Sequence, residues 1–133
     1  MSGAPMLKAT ALHVAVAAVA MGSWAAFANA GAGAAAMTRA ALAQAAISGG
    51  ITLGLKRALE AMGAAWRDPL ALVLPPLVTC AVTLAVLVGV HTAAGTANLW
   101  RTIALPYAVS STYAWGYSLA LFRARAASRE GAA

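Results

Sequence analysis

Carboxylates are almost missing from this chain. No aspartate or glutamate precedes Glu60, and only Asp68 and Glu130 follow it. Paired-carboxylate acid–base chemistry and carboxylate-bound metal sites have little to be built from. Cysteine is scarcer still. Cys80 stands alone, which excludes an intramolecular disulfide, a cysteine metal cluster and dithiol redox chemistry. It lies within an apolar run and reads as a small buried hydrophobe. Neither a Ser–His–acid set, nor H-E-x-x-H, nor a phosphate-binding glycine loop occurs. Gly31 and Gly33, set among alanines, read as a flexible turn. No enzyme, metal or cofactor is expected.

Charge of either sign is sparse. Only 9% of the 133 residues are charged, against about 25% in soluble domains. The hydrophobic share is 62%, more than so small a soluble fold can hide. Lipid resolves the excess, so the expected fold class is an all-α integral membrane protein, one domain over residues 1–133. The net charge of +6 invites a nucleic-acid reading. The basic residues, however, sit at the edges of apolar runs, where they set topology and meet lipid headgroups. Membrane lipids are the expected partners, and nucleic acid is not.

No charge interrupts the stretches between Lys8 and Arg39, Arg39 and Lys56, Asp68 and Arg101, or Arg101 and Arg123. A spanning helix needs roughly 20 apolar residues. Four transmembrane helices are expected, at about 8–29, 38–58, 69–91 and 101–123, with 124–133 a short basic tail. The first segment also fits a signal peptide, with cleavage after Ala28 or Ala30, but its apolar run exceeds the usual 7–15 residues. A retained helix is expected. Seven Lys and Arg fall on the side of Lys8, the 56–67 linker and the tail, and two, Arg39 and Arg101, on the other. The positive-inside rule then puts both termini in the cytoplasm, in a bacterial inner membrane. Pro75 and Pro76 should kink the third helix and Pro106 the fourth.

An offset of 62 residues superposes Gly33 on Gly95, Arg39 on Arg101, Ser48 on Ser110 and Gly54 on Gly116 without a gap. Asn29 falls on His91. Two parallel two-helix repeats, about 7–61 and 69–123, are one reading, since each half would hold an even number of helices. Chance matching in an alanine-rich chain is the other.

The second helix carries Gln44, Ser48, Thr52 and Lys56 at four-residue spacing, along one side of the helix. Thr102, Ser110 and Ser118 answer on the fourth. Such stripes serve close helix packing, or they line a polar path. Gln44 favours the path, because a primary amide in hydrocarbon needs several partners. Leucine there would remove that demand at similar volume. Arg39 and Arg101, with Thr38 and Asn98 as helix caps, offer an anion site or meet lipid phosphate. His91 either joins that polar mouth or is satisfied by interfacial water. It cannot share a haem with His13, about 24 Å away in depth on the repeat offset.

No carboxylate lies inside an expected span, so the acid used by small proton-coupled exporters has no candidate. The expected function is an uncoupled carrier, or a protein handling lipid or an amphipathic anion, with a polar path between helix pairs. Its substrate-binding residues would be Gln44, Ser48, Thr52, Arg39, Arg101, His91 and Ser110. The alternative is an accessory or assembly subunit of a larger membrane complex. A homo-oligomer or such a complex is the expected assembly.

Overall fold

The computed structural model describes residues 3–66 and 69–131, with side chains from residue 11 onward. Arg67 and Asp68, and the side chain of Lys8, therefore lie outside the described residues. The chain is all-helical: α1 (Gly3–Ala28), a 3-10 turn at Ala30–Ala32, α2 (Ala34–Ala65), α3 (Leu70–Ala93) and α4 (Leu99–Glu130). They form an up-and-down bundle. One end carries the two short turns at 29–33 and 94–98, and is termed the hairpin end. The other carries the start of α1, the end of α4, and the end of α2 beside the start of α3, and is termed the terminal end. The parallel helices α2 and α4 touch each other, and each also touches α1 and α3, whereas α1 and α3 do not meet among the described residues.

Three of the helices run longer than expected, α1 by beginning at Gly3 instead of about residue 8. α2 covers 34–65 instead of 38–58, and α4 covers 99–130, so residues 124–130 are helix and not tail. Alanines at 58, 61, 64 and 65, and at 124, 126 and 127, carry the helices on, alanine being the best helix former. At 32 residues each, α2 and α4 are about 48 Å long. The caps also differ. α2 starts where Gly33 turns at φ +89°, which leaves Thr38 inside the helix. Asn98 precedes α4 but makes no capping bond. Gly95, at φ +63°, ends α3 with Thr96 N–H donating to His91 O, the six-to-one bond of a Schellman turn. The only two positive-φ residues described are thus Gly33 and Gly95, the pair related by the 62-residue offset.

Helix α3 stays continuous through Pro75 and Pro76. Pro76 has no N–H to give to the carbonyl of Leu72, four residues back. Ser118 of α4 supplies the missing donor, its hydroxyl 3.0 Å from Leu72 O. The proline pair is thereby tied to the α3–α4 contact.

Polar side chains share the interior with apolar ones, and large apolar side chains share the surface. Asn29, Gln44, Ser48, Thr79, Thr83, His91, Thr102 and Ser118 are buried. Leu12, Val16, Val19, Leu42, Val82 and Val109 stand at least half exposed. An apolar cluster of Leu55, Leu59 and Ala114, with Cys80 and Tyr117 against it, fills the centre near the terminal end. Two stretches, Ala11–Ala28 and Leu70–Ala93, are long and apolar enough to cross a bilayer, and only 17% and 33% of their residues are buried in the bundle. The core helix of a soluble protein would show the reverse.

Candidate functional site

The four-residue series on α2 becomes the floor of a cavity of about 700 Å³ between α1, α2 and α4. One wall is His13, Ala17 and Met21 of α1, a line of every fourth residue. The facing wall is Pro106, Val109, Ser110 and Tyr113 of α4. α3 contributes nothing to the lining. From Gln44 at the hairpin end to Glu60 at the terminal end, α2 advances about 24 Å.

At the hairpin end α1 and α4 are tied together. Asn29 Nδ2 donates to Thr102 Oγ1 at 2.7 Å and to Ala25 O at 2.8 Å, while its Oδ1 accepts from the Asn98 backbone at 3.0 Å. Asn98 Nδ2 returns a bond to Ala28 O, and Trp24 Nε1 donates to Arg101 O at 3.2 Å. Asn29 and Thr102 are fully buried. This clasp lies beyond the last lining residues, Met21, Gln44 and Pro106, on the hairpin side of the cavity.

Gln44 forms the blind wall beneath the clasp. It borders the cavity yet has no accessible surface, because its amide is already engaged on both sides. Its Oε1 lies 2.8 Å from His91 Nε2, and its Nε2 donates to Ser48 Oγ at 2.9 Å. An amide oxygen can only accept, so the hydrogen of the first bond sits on His91 Nε2, and His91 Nδ1 accepts from Thr96 Oγ1 at 2.9 Å. The row Thr96–His91–Gln44–Ser48 links α3 to α2 through the bundle interior.

Further along, the lining is mildly polar. Thr52 donates its hydroxyl to Ser48 O at 2.8 Å, and Ser110 donates to Pro106 O at 2.8 Å. Both hydroxyl hydrogens are consumed by their own helices, so each oxygen is left as an acceptor. Ile51, Leu55 and Val109 make the rest of this stretch apolar.

Charge gathers at the terminal end. Lys56, Arg57 and Glu60 all line the cavity there. Glu60 Oε1 accepts the Tyr117 hydroxyl at 2.6 Å and lies 4.0 Å from Lys56 Nζ. The first is a short charge-assisted bond. The second joins two half-exposed groups and is weak. The Tyr113 and Tyr117 rings stack at 5.4 Å, nearly parallel. Arg125 donates to the Gly63 carbonyl, holding the ends of α2 and α4 together.

Four of the seven residues expected to bind substrate, Gln44, Ser48, Thr52 and Ser110, line the cavity. The other three do not. Arg39 is exposed on α2, a turn and more beyond the helix start. Arg101 lays its guanidinium over the Phe27 ring at 5.2 Å. His91 is fully buried behind Gln44, not at a wet mouth with the arginines. Glu60, Arg57 and Tyr113 were not among the expected residues. The signal for Glu60 was present: it is the next member of the series 44, 48, 52, 56.

The chain matches no family model, no curated protein and no solved structure.

Proposed function

We propose that the chain crosses the membrane four times with both termini in the cytoplasm, and that its cavity takes up an amphipathic molecule bearing an anionic group. The observation that carries this reading is the cavity itself. Its lining runs from the Gln44 amide through a largely apolar stretch that carries the hydroxyls of Ser48, Thr52 and Ser110 to Lys56, Arg57 and Glu60 at the terminal end. A volume near 700 Å³ falls in the range of small-molecule sites. Spread over about 24 Å of helix, it is wide enough for one hydrocarbon chain.

Three features support the four spans. Large apolar side chains stand exposed on the bundle while eight polar side chains are buried inside it beside the apolar ones. α2 and α4 are less apolar than α1 and α3 because they line the cavity and run on into charged ends. Among the described residues Lys and Arg divide six to two between the terminal and hairpin ends, which favours the terminal end, with the charged end of the cavity, as the cytoplasmic one.

Binding of a single-chain anionic amphiphile such as oleate to the purified protein tests this. Saturable binding at one site is expected. Lys56→Gln and Arg57→Gln should each weaken it about five-fold, near 1 kcal/mol per basic residue at an anionic headgroup. Absence of saturable binding, or indifference to both substitutions, would overturn the reading.

A second reading, an accessory subunit of a membrane complex, is favoured by one observation. A Cβ added at Gly50, Gly54 or Gly116 would meet nothing within 4 Å. Small residues on an open face let another helix approach closely.

A further inference from the structure

The cavity mouth is not purely cationic. Glu60 lies between Lys56 and the stacked tyrosines, and Glu60 and Tyr113 both line the cavity. A headgroup carrying only negative charge would compete with Glu60 for Lys56 and face its repulsion. A headgroup carrying only positive charge would meet Lys56 and Arg57. Both recorded contacts of the Glu60 carboxylate fall on Oε1, which leaves Oε2 able to accept from a donor. The Tyr113 ring adds a π face, and an ammonium is attracted to such a face.

We infer, on the footing of the cavity reading above, that the mouth selects a zwitterionic headgroup on a single-chain amphiphile, one with a phosphate and an ammonium. The phosphate sits against Lys56 and Arg57, and the ammonium against Glu60 and Tyr113. The chain extends toward Ser48 along the apolar middle of the cavity. Gln44, Met21 and Pro106, the last lining residues toward the hairpin end, set the limit of its length.

Three probes of equal chain length distinguish the outcomes: lysophosphatidylethanolamine (both charges), lysophosphatidylglycerol (negative only) and an alkyl ammonium (positive only). Each is titrated into the purified full-length protein. The zwitterion should bind at least tenfold more tightly than the anion. Glu60→Gln should bring that ratio close to one, by weakening the zwitterion and strengthening the anion. Tyr113→Leu should weaken the zwitterion and leave the anion unchanged, and it leaves the Glu60–Tyr117 bond in place. Tyr117→Phe, which removes only the inner hydroxyl, should preserve the ratio. An anion or cation that binds as tightly as the zwitterion overturns the inference, as does a ratio that Glu60→Gln and Tyr113→Leu do not move. Failure of all three probes to bind would instead remove the cavity reading on which the inference rests.

Discussion

His91 Nε2 and Gln44 Oε1 meet at 2.8 Å across 47 residues of sequence, and neither side chain has any surface left exposed. Each is the other's partner inside the bundle, so the loss of one strands the other. Gln44→Leu leaves the His91 N–H without an acceptor and should destabilise the bundle by about 1–3 kcal/mol. His91→Phe strands the Gln44 carbonyl in the same way. Together the two changes should cost less than their sum, with a coupling of about 0.6 kcal/mol, the average for such bonds between membrane helices, and at most about 1.7 kcal/mol. Unfolding in mixed micelles gives all four corners of the cycle. Strict additivity would mean that the two side chains do not depend on each other.

Ser118 and Pro76 form a second coupled pair. Ser118→Ala deprives the Leu72 carbonyl of its donor and should lower stability by about 1 kcal/mol. Pro76→Ala restores a backbone N–H to that carbonyl, so in its presence Ser118→Ala should have almost no effect. Equal losses in both backgrounds would show that the serine acts by some other contact.

Gly22 marks the closest approach of α1 to α2. A Cβ there would stand 3.2 Å from both Ala41 O and Ala45 Cβ. Gly22→Val should therefore push the helices apart and destabilise by about 1–3 kcal/mol, as overpacking does. At Gly50 and Gly54 an added Cβ meets nothing within 4 Å, so Gly50→Ala and Gly54→Ala should leave the stability of the isolated protein unchanged or slightly raised. If they abolish function while stability holds, that face binds another helix, and the accessory-subunit reading gains.

Much of the architecture was legible in the sequence, for a physical reason. Charges are so few that their positions delimit the helices, and a turn glycine stands between α1 and α2 and between α3 and α4. Helix ends were less legible. Alanine continues past the last hydrophobic residue and hides the point where a span would stop, which is how α2 came to include Glu60. The stripe 44–48–52 read correctly as one side of a helix, but a stripe does not say what faces it. Gln44 is the clearest case. Leucine at 44 reads from sequence as a removal of polar demand. The His91 contact makes it a loss of a partner, and no local pattern announces a bond across 47 residues. Asn29 and Asn98 were hidden likewise, since Asn98 reads as a helix cap and instead reaches back to Ala28 O.

The most direct test of the whole account is one-sided cysteine labelling. In a Cys80→Ala background, single cysteines replace Thr52 and Ser110 in the cavity, and Leu42 and Val82 on the exposed apolar surface. A charged, membrane-impermeant thiol reagent is applied to sealed vesicles of each orientation. The account predicts that positions 52 and 110 react from the cytoplasmic side only and are protected by a bound amphiphile, while 42 and 82 stay unreactive from either side. Reaction at 42 and 82 as fast as at 52 and 110 would contradict it, since those residues would then face water and not lipid. So would labelling of the cavity from the opposite side.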